Sequence, residues 1–159
     1  MSTTTGDADY LRQRRLMVPV HGIAPSQVRD DFNARRGSRR HNALDIMAPR
    51  GTPVLATDDG RVLAMRRNSA GGITIYVADA QERMVYYYAH LDGYRRRLSE
   101  GDRVKKGDVL GYVGTTGNAP SNAPHLHFQA LRLDDARRYW DGPPVNPHPY
   151  LVIEGRKRD

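Results

Sequence analysis

The apolar residues of this chain arrive in short pieces separated by turn formers, and that pattern limits the fold more than any other feature. Runs at 16–18, 53–56, 61–65, 73–77, 84–89, 109–113 and 126–131 each have the length of a strand and are rich in β-branched or aromatic side chains. Between them stand Asp59-Gly60, the stretch 68–72, Asp92-Gly93, Glu100-Gly101-Asp102, Lys106-Gly107-Asp108 and Gly117-Asn118, all of them turn chemistry. Segments this short, joined by tight turns, favour antiparallel hairpins. Helix is expected only as a turn or two near 26–32 or 134–140, too short to act as scaffold. The fold class read from this pattern is all-β, a mostly antiparallel sheet with few short helices. The stretch 100–110 has the cadence of the turn-strand units in lipoyl-carrier-like β-sandwiches, which suggests a hybrid barrel or sandwich-like topology.

With 159 residues the chain can bury one core but not two ordinary ones. The polar stretch 1–15 reads as a flexible leader outside the fold, 16–152 as the domain, and 153–159 as a basic tail. No stretch approaches the roughly 20 apolar residues that cross a bilayer, and 1–15 lacks the apolar centre of a signal peptide. The net charge of +7 suits an anionic partner, whether nucleic acid, membrane surface or acidic wall polymer. The arginine pairs are not interleaved with aromatics, as a single-strand nucleic-acid platform requires. Cysteine is absent, which removes disulfides, thiolate metal sites and cysteine nucleophiles. Any metal must be held by His, Asp or Glu.

Four of the six histidines stand where chemistry is plausible. In His125-Leu126-His127 the period of two points both imidazoles to one face of a strand and Leu126 and Phe128 to the other. Such a pair arises by chance in about one chain in five of this composition, so alone it decides little. His41 and Asp45 stand four apart; a helix would align them, but the following Ala48-Pro49-Arg50-Gly51-Thr52-Pro53 favours a loop entering a strand. His90 ends the run 84–89, at the rim of a rigid element. His21 and His148 have no partner by spacing. Taken together, His41, Asp45 and one of His125 or His127 would make a two-histidine, one-carboxylate zinc site with its fourth position open to water. Zinc lowers the pKa of water in that position to about 7. The two remaining imidazoles could serve as general base and as oxyanion donor.

The ordered set His41-x-x-x-Asp45, Ala48-Pro49-Arg50-Gly51-Thr52-Pro53-Val54, Asp59-Gly60, Tyr88-Ala89-His90-Leu91, Val104-Lys105-Lys106-Gly107 and His125-Leu126-His127-Phe128 resembles the lysostaphin-like, or LytM-type, peptidoglycan endopeptidases over residues 17–151. The resemblance implies one Zn2+ per domain on His41, Asp45 and His127, catalytic roles for His90 and His125, and a mostly antiparallel β fold with the site in an open groove. It implies hydrolysis of a peptide bond in or between peptidoglycan stems, with His125 activating water and His90 steadying the oxyanion. It also implies a periplasmic or extracellular location. The chain departs from the family pattern at Asn33 and Ala43, where glycine is usual, at Ser121-Asn122-Ala123-Pro124 before the last motif, and at Gln129, where glutamate is common.

Two rival readings remain. A non-catalytic LytM-like domain would bind wall or activate another hydrolase, but such regulators typically lack one or more of the five site residues, all present here. A nucleic-acid-binding β-domain would use Tyr86-Tyr87-Tyr88 for stacking, although alternation turns Tyr87 away from its neighbours. Tyr88 and Asn118 are expected to contact substrate, the basic surface an anionic wall polymer, and the domain to act as a monomer.

Overall fold

The computed structural model describes residues 5–37 and 39–158. One helix, α1 (Thr5–Arg14), precedes thirteen strands: β1 (Leu16–Met17), β2 (Arg35–Arg36), β3 (Arg39–Arg40), β4 (Leu44–Met47), β5 (Pro53–Leu55), β6 (Gly60–Asn68), β7 (Gly72–Asp79), β8 (Met84–Tyr94), β9 (Arg103–Val104), β10 (Val109–Val113), β11 (His125–Arg132), β12 (Pro144–Val145) and β13 (Leu151–Ile153). Nine of these form the main sheet, in the order β12-β11-β8-β7-β6-β9, with β4 on β11, β10 on β8 and β5 on β10. Every pairing within it is antiparallel. The sheet is open, which corrects the barrel element of the sequence reading. Its β9 edge is two residues long and pairs only with the start of β6, too short to carry a ladder round to closure. The segments near 26–32 and 134–140 shrink to single 3-10 turns at Pro25–Gln27 and Ala136–Arg138.

Alternation sets the two faces of the sheet. Leu44, Ile46, Tyr86, Tyr88, Leu126 and Phe128 point to one side and are buried, and the rings of Tyr86 and Phe128 stack at 6.2 Å. The opposed pairs Asp45↔His127, Met47↔His125 and Tyr87↔Gln129 point to the other side, over which the candidate site opens. One hydrophobic core thus holds the site's strands rigid from behind.

Of the expected leader, residues 5–15 are part of the fold, and residues 1–4 lie outside the described residues. Tyr10 and Leu11 of α1 are buried in the core, and the helix is fastened mainly by polar links. Tyr10 hydrogen-bonds Asp79, and Arg14 forks onto the wholly buried Asp58 at 2.8 and 3.1 Å. The Lys106 ammonium donates to the carbonyls of Arg14 and Arg15 at 2.8 and 2.7 Å. A helix that buries so little apolar surface leaves no periodic signal, so composition alone misplaced it. The chain's end is also integrated. β13 pairs in parallel with β1, Gly155 exchanges backbone hydrogen bonds with Gly22 and Ile23, and the Arg158 amide bonds Gly107. Residues 153–158 are therefore not a free tail.

Candidate metal centre

The spacing of four between His41 and Asp45 is met by a bend and not by a helical turn. His41 follows the β2–β3 hairpin, its amide bonding Ala34, and Asn42 takes a left-handed φ of 57° that swings the chain into β4, where Asp45 lies. The Gln129 amide donates to the Asn42 carbonyl at 3.1 Å. An ionised glutamate has no proton to give at that position. The register of β4 on β11 then sets Asp45 directly opposite His127.

Asp45 Oδ1 lies 3.1 Å from His41 Nε2, 3.4 Å from His127 Nδ1 and 3.7 Å from His125 Nε2. A tetrahedral ion with bonds of about 2.1 Å needs its donors about 3.4 Å apart. The His41 and His127 contacts meet that spacing, and the ligand atoms of His41, Asp45 and His127 all lie within 4.8 Å of one another. The trio can hold a metal ion. Asp45 Oδ2 faces the Arg36 guanidinium at 3.3 Å, leaving Oδ1 turned to the cluster. Burial alone would raise the Asp45 carboxyl, but the hydrogen bond with His127 and the neighbouring His41 and His125 hold it well below the usual carboxylate range. It offers its charge throughout the physiological range.

Three imidazoles are oriented by main-chain carbonyls. His41 Nδ1 meets Asp31 O at 3.2 Å, His90 Nδ1 meets Thr116 O at 2.7 Å, and His125 Nδ1 meets Ala123 O at 3.0 Å. A carbonyl can only accept, so each Nδ1 carries the proton and each Nε2 keeps a lone pair in the neutral ring. For His41 that lone pair is on the side of Asp45, where it can ligate a metal ion; for His90 and His125 it can accept a proton. Burial lowers the His90 pKa, opposed in part by the Thr116 hydrogen bond, so the neutral ring is favoured. The His90 ring lies 5.0 Å from that of His125 and 5.8 Å from that of His127.

His90 reaches this face by breaking the strand period. Alternation from Tyr86 and Tyr88 would send it to the core. Between the pairs Ile75↔Tyr88 and Ile73↔Leu91, however, two residues of β8 oppose one of β7, and His90 has φ 64°. This bulge re-aims the side chain. The loops that receive it are tightly apposed: the His90 amide bonds Gly71, and the Asn118 amide bonds Ala70. A Cβ at Gly72, itself at φ 69°, would come within 2.3 Å of Thr116 Oγ1.

An open groove of about 1080 Å3 runs over the cluster, lined by all five expected residues and by Asn118. Tyr88 is not part of it. Its ring is wholly buried and its hydroxyl accepts from the Thr57 amide at 3.0 Å. Tyr87, one step along the strand, lines the groove instead, as alternation requires. Sequence reasoning also missed Asp31, whose carbonyl holds His41 and whose carboxylate accepts the Asp45 amide at 3.3 Å, and Thr116, whose carbonyl holds His90. Neither sits in a motif, and the Thr116 contact uses backbone that any residue supplies.

Known proteins are similar to this chain in sequence and fold. The L-Ala–D-Glu endopeptidase of Bacillus subtilis (strain 168) is 32% identical over 141 residues, covering 80% of this chain and 42% of the relative. The DD-carboxypeptidase/endopeptidase Mpg of Neisseria meningitidis serogroup B (strain MC58) is 38% identical over 109 residues, covering 69% of this chain and 22% of the relative. The chain therefore spans less than half the length of these curated relatives. Among solved structures, the catalytic domain of lysostaphin from Staphylococcus simulans superposes with a TM-score of 0.62 at 26% identity, covering 91% of this chain and 96% of that one. The family model for peptidase family M23 matches residues 39–147, which hold all five residues of the cluster, and the chain belongs to that family.

Proposed function

We propose that this domain is a zinc-dependent endopeptidase that hydrolyses peptide bonds in the stems or cross-links of bacterial peptidoglycan. The observation that carries the reading is Asp45 Oδ1 set at tetrahedral spacing from His41 Nε2 and His127 Nδ1, with two further imidazoles alongside that those ligands do not use. Two neutral nitrogens and one carboxylate suit zinc and leave a coordination position for the reaction. A zinc ion there supplies a Lewis acid for the scissile carbonyl and a water acidified to near neutrality.

The chain's own residues do the rest. Asp45, held through Oδ2 by Arg36, contributes one negative charge. His90 and His125 present Nε2 lone pairs to the groove, so either can take the proton of the attacking water. Once protonated, the same ring donates from Nε2, first to the developing oxyanion and then to the leaving amine. The His125 Nε2 atom, 3.7 Å from Asp45 Oδ1, is the nearer to the ligand cluster and takes the base's role; His90 steadies the oxyanion only as the imidazolium, with Nδ1 on the Thr116 carbonyl and Nε2 as donor. The groove's open form admits a chain from the side, as cleavage within a polymer requires.

Support for the substrate comes from the relatives, whose names include L-Ala–D-Glu endopeptidase, peptidoglycan DD-endopeptidase, glycyl-glycine endopeptidase and lysostaphin. On this reading the domain works as a monomer beyond the cytoplasmic membrane, in the periplasm or outside the cell. Among the described residues no helix is long and apolar enough to cross a membrane. Zinc quantification, paired with digestion of purified peptidoglycan with and without chelator, tests the proposal. One zinc per chain with chelator-sensitive release of peptide fragments is expected. Full zinc occupancy without any release would sink the enzyme and leave a wall-binding or hydrolase-activating domain.

A further inference from the structure

The relatives' names span bonds of different chemistry, from glycine bridges to stem peptides with acidic residues. The groove carries a feature that separates these substrates. Its lining contains two arginines, Arg36 and Arg40, contributed by the β2–β3 hairpin, and among the described lining residues Asp45 is the only acid. Asp45 is already committed: Oδ1 faces the imidazoles, and Oδ2 faces Arg36. Arg36 is 51% exposed despite that contact, so much of its guanidinium faces open space. Arg40 is exposed and has no carboxylate partner among the described residues.

The hairpin carries these cations to the wall of the groove that runs over the cluster: Arg36 lies 3.3 Å from the candidate ligand Asp45, and Arg40 lines the same groove. A bound divalent ion adds two further positive charges to the same groove. A neutral glycine chain gains nothing from this field. A peptide with a free carboxylate close to the scissile bond gains a charge-assisted hydrogen bond from a planar fork shaped for carboxylates.

We infer that Arg40, assisted by Arg36, forms a carboxylate-recognising subsite that selects acidic stem peptides over amidated stems and over oligoglycine. This deepens the endopeptidase reading and rests on it for the word substrate, but the binding preference can be measured without turnover.

The test uses three synthetic probes: a cross-linked stem peptide with free α-carboxylates, the same peptide with those groups amidated, and pentaglycine capped as its N-acetyl C-terminal amide. Zinc-loaded protein is assayed for cleavage of each, and binding is followed calorimetrically on the His90→Asn variant. The free acid should be preferred over its amide by about tenfold in kcat/KM, the worth of one such contact in a solvent-open groove, and the difference should lie in KM. The Arg40→Gln variant should bring that ratio close to one, and added salt should lower it in the parent. Equal handling of acid and amide overturns the subsite, as does a preference that survives both Arg40→Gln and Arg36→Gln. The two proposals fail differently. Cleavage of all probes without preference removes the subsite alone, whereas an Arg40-dependent binding preference without any cleavage removes the enzyme reading alone.

Discussion

Replacing Arg14 with methionine keeps the length of the side chain and removes its charge, and the structure sets the cost. The Asp58 side chain has no exposure and the Arg14 side chain 22%, with nitrogen–oxygen contacts of 2.8 and 3.1 Å. Charge centres about 4 Å apart at an effective dielectric of about 20 attract by about 4 kcal/mol. Water at the open side of Arg14 screens part of this, and Asp58 keeps a hydrogen bond from the Asp59 amide at 2.8 Å. The net loss should be about 2–3 kcal/mol, just below the range typical for stranding a buried charge. For a domain of this size that lowers Tm by roughly 5–10 °C. Thermal and urea unfolding of parent and variant, both in chelator so that ion binding does not add stability, give the number. Adding Asp58→Asn to the variant should recover much of it, because no bare charge then remains. A loss below about 0.5 kcal/mol, with no recovery in the double variant, would refute the reasoning and return α1 to the status of a leader.

Other outcomes follow from the site. Asp45→Ala and His41→Ala should lose zinc and activity together, whereas His90→Asn, chosen because asparagine tolerates the positive φ, should lose activity and keep zinc; elemental analysis beside a peptide-release assay distinguishes them. Tyr88→Phe should cost about 1–2 kcal/mol by stranding the buried Thr57 amide and leave KM unchanged, while Tyr87→Ala should raise KM more than it lowers Tm. Gly72→Ala must bear a left-handed φ and a contact near 2.3 Å with Thr116 Oγ1. It should cost at least about 1–2 kcal/mol and reduce activity in the protein that remains folded, since Thr116 orients His90.

The site was largely legible because its chemistry is carried by rare residue types on strands whose side chains alternate. His125 and His127 share a face through that period, and the ordered motifs named the family before any contact was known. Tyr88 was expected to contact substrate, but alternation allows only one of Tyr87 and Tyr88 to face the groove, and the core takes Tyr88. His90 was placed by its position at the end of the run 84–89 and by the motif; its approach depends on a bulge, and no residue pattern in 84–94 announces one. Asp31 and Thr116 were invisible because carbonyls do the holding. The helix at 5–14 was missed for a related reason: a fork onto a buried carboxylate anchors it, and long-range ion pairs leave no mark on local periodicity.

The anchoring of three imidazoles to main-chain carbonyls reaches beyond tautomer choice. Small metal domains that lack a core fold only when the ion arrives. Here the rings are moored to backbone that an independent hydrophobic core already holds, so their conformational freedom is surrendered during folding. The apoprotein should then behave as a ready socket. On the proposed zinc reading, stripping and recharging should be a reversible exchange on an unchanged frame, and an ion of similar size, such as a spectroscopically visible cobalt, should occupy the same trio and report on the groove directly.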